Sequence, residues 1–172
     1  MIFVTVGNSI KGVEFHRLIR EMDDIARDLQ EEVVAQIGFI EDPPRHIRSF
    51  SYLNYVEIRS YFLQASMIVG HCGVGTVING LGYGKPVILV PRAKAHGEHI
   101  DDHQFELAYR LKGMEGIFVV EDTGQLRPTI LEVRRLLEKK ALEPHFSKER
   151  ARLLAFMRDY VETTRTELKE QG

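Results

Sequence analysis

The sequence is short of several things, and each shortage closes off a class of protein. It has one cysteine, Cys72, which excludes an internal disulfide framework and fits a reducing cytosol. It has no excess of charge of either sign: 23 Lys and Arg stand against 25 Asp and Glu, a formal net charge of −2. A chain this close to neutral offers no basic surface for nucleic acid. No uninterrupted apolar run approaches the ~18 residues of a membrane span. The opening MIFVTVGNS is too short for the apolar core of a secretion signal with its flanks. Internal repeats and low-complexity stretches are also missing. What remains is the composition of an ordinary soluble globule, 44% hydrophobic and 28% charged. The expected location is the cytoplasm, and any work at a membrane would need recruitment through another protein.

Short apolar runs alternate with helical patterns. IFVTV (2–6), VVAQI (33–37), MIVG (67–70), VILV (87–90) and IFVV (117–120) read as strands buried on both faces. A further short strand is expected around SFSYL (49–53). Between them, Phe15, Leu18, Ile19, Met22, Ile25, Ala26 and Leu29 recur at helical spacing. Helices are also expected around Tyr55 to Phe62, from about His99 to Lys112, and from Leu126 to Lys140 with Pro128 in the first turn. This alternation predicts an α/β fold: a Rossmann-like parallel sheet with helices on both faces. Residues 1–146 form the α/β domain. Residues 147–172 form an extra C-terminal amphipathic helix, carrying Leu153, Phe156, Met157, Tyr160, Val161 and Leu168, which either folds back on the domain or docks on a partner.

Sheets of this kind bind ligands beyond the carboxyl ends of their strands. Three polar segments are expected at that edge: the turns Gly7-Asn8-Ser9 and His71 to Thr76, and residues 95–108. In GHCGVGTVINGLGYG (70–84), six of the chain's 14 glycines fall within fifteen positions. Gly73 and Gly75 either clear backbone amides for an anion at a helix N-terminus or let a helix pack on the sheet, with Thr76 adding a hydroxyl. The spacing is neither GxGxxG nor GxxxxGK[ST]. Gly80 and Gly82 are expected to bring the helix close to the sheet, and Gly84 to cap it. His96, His99 and His103, with Glu98, Asp101 and Asp102, form a second cluster. It reads as metal ligands, as a polar helix start capped by its acids, or as a ligand-facing edge where the histidines and Gln104 present donors. HGEH is not the HExxH zinc pattern. Within the glycine-rich turn, His71 and Cys72 sit at a strand end, where a nucleophilic dyad would need side chains that neighbouring strand residues point apart.

VTVG (4–7), QIGF (36–39), ASMIVGH (65–71), GVGT (73–76), GKPVILVPR (84–92) and GEHIDDHQ (97–104) together resemble the C-terminal domain of family-28 glycosyltransferases. More narrowly, they resemble its small stand-alone members: the catalytic subunit of the two-part UDP-GlcNAc transferase that makes dolichol-linked chitobiose, and bacterial exopolysaccharide transferase subunits. The resemblance runs from Met1 to about residue 140. It implies the nucleotide-sugar half of a GT-B enzyme that transfers a sugar from a UDP-sugar, with no metal or other cofactor. The acceptor half would lie on a separate, membrane-anchored subunit, and an isolated copy would be free to self-associate. By resemblance, the donor site comprises Gly7, Asn8, His71, Gly73, Val74, Gly75, Thr76, Asn79, His99, His103 and Gln104. No catalytic base is assigned, since it would sit on the acceptor half. Where the family places a glutamate that accepts both ribose hydroxyls, this chain has Asn79, and where relatives often have Gly-Thr it has Gly7-Asn8. The alternative is a non-catalytic nucleotide-sugar-binding or scaffolding subunit.

Overall fold

The structure, a computed structural model, describes residues 1–8 and 10–140 together with Leu142, Ala151, Ala155 and Phe156. Six strands form one sheet: β1 (Ile2–Thr5), β2 (Val33–Gln36), β3 (Arg48–Phe50), β4 (Met67–His71), β5 (Val87–Val90) and β6 (Ile117–Val119). Their spatial order is β3-β2-β1-β4-β5-β6, and every neighbouring pair is parallel. The helices are α1 (His16–Asp28), α2 (Tyr55–Gln64), α3 (Val74–Gly82), α4 (His103–Leu111) and α5 (Leu126–Glu138). Successive strand side chains point to opposite faces, so β1 serves two cores. Ile2 and Val4 pack with Leu18 and Met22 of α1 and Ile130 of α5. Phe3 packs on the other side with Phe62 of α2, Val77 of α3 and Leu107 of α4. The expected strands and the two-sided helical cover are all present.

Local chemistry explains where elements start and stop. Asn54 accepts from the amides of Val56 and Glu57 while Glu57 reaches back to the Asn54 amide, a capping box that opens α2. A Cβ at Gly80 would lie 2.4 Å from a Val87 methyl, so glycine lets α3 approach β5. Gly82 needs no such explanation, because nothing lies within 4 Å of its would-be Cβ. That part of the expectation is corrected. Gly84 ends α3 at φ +71°, with its amide bonded to Leu81 O at 3.0 Å and the Lys85 amide to Gly80 O at 2.9 Å. These two bonds make a Schellman C-cap.

The helix expected from about His99 begins only at His103. A single 3-10 turn (Lys94–His96) ends at Gly97 in the left-handed region, φ +67°. The following segment is then held as a loop by Asp102, whose carboxylate accepts the Lys94 amide at 2.9 Å. Beneath this loop lies a strut. Glu98, 3% exposed, receives Arg17 Nε and Nη2 of α1, both at 2.9 Å. It also receives the Ala93 amide at 3.0 Å. The strut ties α1 to the segment that delivers His99, His103 and Gln104.

The boundary and terminal helix expected after residue 146 lie outside the described residues, apart from Ala151, Ala155 and Phe156. These three are helical, and Phe156 packs against the second core. Among the described residues, no helix is long and apolar enough to cross a membrane.

Glu98→Ala leaves the Arg17 charge and the Ala93 amide without their partner. The variant is expected to lose about 2–3 kcal/mol of unfolding free energy, below the value for a fully buried pair because Arg17 is partly exposed. Urea unfolding of both proteins checks this. A loss below about 0.5 kcal/mol would mean that the strut does not hold the loop.

Candidate functional site

Between β1 and β4 the connections part, α1 crossing one face of the sheet and α3 the other. At this switch point the loops separate and leave a crevice above the strand ends. It is a cavity of about 400 Å³, and all eleven residues expected to form the site line it: Gly7 and Asn8 after β1, His71 and Gly73 to Thr76 with Asn79 on the β4–α3 turn, and His99, His103 and Gln104 after β5. Thr5, Ile58, Phe62 and Arg92 complete the lining. Among the described residues, the lining contains one arginine, three histidines and no carboxylate. A cavity of that make-up in a chain of net charge −2 is suited to an anion.

The α3 N-terminus supplies part of this character. Gly73 is its N-cap residue and no side chain caps it. Of the four amides from 73 to 76, that of Gly73 is already bonded to His71 O at 2.8 Å. The amides of Val74, Gly75 and Thr76 have no acceptor among the described residues, as expected for an uncapped first turn. Three donors rather than four are therefore free.

Gly7 and Gly73 have a task that the sequence did not point to. A Cβ at Gly73 would lie 2.2 Å from His71 Nε2, and one at Gly7, at φ +68°, would lie 2.2 Å from His71 Cε1. Both clear space for the imidazole, which is wedged between the two turns. Of the three glycines lining the crevice, Gly75 meets open space. Thr76 Oγ1 lies 3.2 Å from His71 Nδ1, so Thr76, 5% exposed, orients the ring as well as starting the helix. Burial, with the Arg92 charge adding to it, pulls the His71 pKa down to about 3. His71 is therefore neutral at physiological pH.

The first turn is held by a residue that periodicity alone would pass over. Gln36, 4% exposed, accepts the Thr5 hydroxyl at 2.9 Å and donates to Gly7 O and Ser51 O, each at 3.2 Å. One amide thereby ties the carboxyl ends of β1, β2 and β3. Gln104, also 4% exposed, spends its Oε1 on the Arg92 amide at 3.1 Å. Its Nε2 has no partner among the described residues. The Asn79 amide nitrogen donates back to Gly75 O at 2.8 Å, which leaves Oδ1 as the acceptor it can offer.

The histidine cluster comes together although its members do not share a helix. His99 Nδ1 is 3.0 Å from Asp101 Oδ1, His103 Nδ1 bonds to the same oxygen, and the two rings meet edge-on at 4.6 Å. These three residues could hold a metal ion, their ligand atoms lying within 4.8 Å of one another. His96 and Glu98 are not in this group, and Glu98 is occupied by Arg17. Cys72 is fully buried in the second core, and burial pushes its thiol up to about 12. It is no nucleophile at neutral pH.

A histidine held neutral stabilises the fold only where the unfolded chain is neutral too. Between about pH 3 and the ordinary imidazole value of 6.5 the unfolded chain binds the extra proton, so stability falls as pH falls through that window. His71→Asn, which keeps an acceptor for Thr76, is expected to be less stable than the parent at pH 7, with the difference shrinking by pH 5. Paired unfolding curves check this. An undiminished difference at pH 5 would show that His71 is not held neutral.

Comparison with known proteins agrees with this architecture. The profile of the glycosyltransferase family 28 C-terminal domain matches residues 1–163. A mouse (Mus musculus) protein, UDP-N-acetylglucosamine transferase subunit ALG13, is 28% identical over 120 residues. That match covers 63% of this chain and 10% of the mouse protein, so the chain spans about a tenth of the curated relative's length. Among solved structures, the glycotransferase of kitacinnamycin superposes with a TM-score of 0.59 at 18% identity, over 99% of this chain and 42% of that one. MurG of Acinetobacter baumannii superposes at 0.57 and 17% identity, over 91% of this chain and 49% of that one. These likenesses show the fold, that of a GT-B glycosyltransferase half.

Proposed function

Starting from the premise that the chain belongs to the glycosyltransferase family 28 C-terminal domain family, we propose that it is the donor-binding part of a UDP-sugar-dependent transferase. The sugar would pass to a lipid-linked or glycan acceptor held by a separate, membrane-anchored subunit, with this chain on the cytoplasmic side. The observation that carries the reading is the crevice: a carboxylate-free lining with an arginine, three histidines and the uncapped start of α3. The mouse relative, a subunit of a UDP-N-acetylglucosamine transferase, supports the donor class and the two-part organisation.

On this reading the diphosphate lies across the amides of Val74, Gly75 and Thr76. Its charge grows as the bond from the anomeric carbon to the phosphate oxygen breaks. Oriented amides and the α3 dipole meet that charge without reorganising, which favours the transition state over the ground state. His71, neutral and fixed by Thr76, can present at most one N–H. The Gln104 Nε2 would contact the sugar and Asn79 Oδ1 the ribose. The base that activates the acceptor would come from the partner, and inversion follows if the acceptor attacks opposite the diphosphate.

Titration calorimetry of the chain with UDP and UDP-GlcNAc in the presence of EDTA tests the reading. Binding of both is expected, since no step invokes His99, Asp101 and His103 as metal ligands. No heat at millimolar ligand, with or without a partner subunit, would remove it.

A second reading, a nucleotide-sugar-binding subunit without catalysis, is favoured by Asn79. Its one free acceptor replaces a carboxylate that would accept both ribose hydroxyls. Asn79→Glu is expected to tighten UDP about fivefold, corresponding to roughly 1 kcal/mol for a charge-assisted contact, with no gain for a 2′,3′-dideoxy analogue. Unchanged UDP affinity would place the ribose elsewhere.

A further inference from the structure

Arg92 follows β5, and the sequence by itself gives it no task. It is 3% exposed. Its Nη2 donates to Val6 O at 2.6 Å, and its guanidinium carbon stands 5.4 Å from the centre of the Phe15 ring. Its Nε, fully enclosed, has no hydrogen-bond partner among the described residues. No carboxylate forms an ion pair with Arg92 among the described residues. The carboxylate whose charge acts on it is Glu98, whose oxygens are bonded to Arg17 and the Ala93 amide. A carbonyl and an aromatic face would be served as well by a neutral donor. An unpaired buried cation is costly, and arginine does not shed its proton to escape that cost.

Position supplies the reason for keeping the charge. Arg92 lines the crevice together with His71 and the free amides of α3. Its own amide holds Gln104. Its charge reaches His71, whose pKa it helps to depress. We infer that Arg92 is the buried counter-charge for the anionic part of the crevice ligand, an inference that rests on the function proposed above and identifies that part as the diphosphate. The cation is left without a carboxylate inside the protein because the ligand neutralises it. Enclosure then makes the attraction stronger than a surface lysine could supply. Arg92 thereby sets specificity for the charged portion of the ligand and is indifferent to the nucleoside.

The experiment compares UDP, inorganic pyrophosphate and uridine on the parent chain, Arg92→Met and Arg92→Lys by calorimetry. Arg92→Met is expected to weaken UDP and pyrophosphate by about tenfold or more while uridine changes by less than about twofold. Arg92→Lys, which keeps the charge, should retain most of the UDP affinity. An equal loss for uridine and UDP, or no loss for UDP, would overturn the inference, because a merely structural arginine affects both alike. If Arg92→Met does not fold, the parent chain still decides. The Arg92 Nε–H resonance should shift on adding UDP or pyrophosphate and stay in place with uridine, and an unmoved resonance overturns the inference. A parent that binds pyrophosphate but neither UDP nor uridine would sink the donor reading and leave the counter-charge standing.

Discussion

A parallel strand must return to its starting edge before the next one can be laid down, so each connection commits to one face of the sheet. Here β1 sends α1 over one face and β4 sends α3 over the other, with the two strands side by side at the centre. Two loops that leave in opposite directions cannot cover the gap between them. That constraint, set by topology rather than by any one residue, produces the crevice. It also determines which residues can reach the crevice: those just past the ends of β1, β4 and β5.

What those loops contribute is polar, with one permanent charge, the Arg92 guanidinium. Arg92, His71, His99 and His103 converge with the free amides of α3, and the nearest buried carboxylate, Glu98, is turned away to hold Arg17. The strut therefore does two things. It fixes the loop after β5, and it keeps a negative charge from occupying the place of a ligand. Removing water from such a lining raises the cost of its charges and the reward for an anion that satisfies them. The same physics explains the neutrality of His71, since an enclosed imidazole beside a guanidinium cannot carry a proton near pH 7.

Glycine at this edge serves the protein before it serves a ligand. Gly7 and Gly73 flank one imidazole, and any side chain there would collide with it at 2.2 Å. The ring in turn is oriented by Thr76, inside the first turn of α3. A glycine-rich turn, a histidine and a helix N-terminus thus form one packed unit, in which Gly75 is the glycine that does not abut the ring. Gln36 does comparable work for the β1 turn, with one side-chain amide serving three strand ends.

Strand runs such as VILV and the apolar stripe of α1 were legible in the sequence because burial on two faces or one leaves a period that composition cannot hide. Strand–helix alternation then sufficed to bring Gly7, His71, Gly75 and Gln104 to one edge of the sheet. The late start of α4 was not legible, since it depends on Asp102 closing a loop onto the Lys94 amide. The pairing of Gly7 with Gly73 across a shared histidine was also hidden, as the two glycines lie on separate turns and meet only after β1 and β4 pair. Arg92, in a motif visible from the start, gave no sign of being buried and short of a partner, because enclosure is a property of what surrounds a residue. The sequence by itself determined which elements form and which edge carries the chemistry, through local periodicity and turn residues. Only the tertiary structure decided which donors stay free and which charge lies buried, because those follow from contacts between segments far apart in the chain.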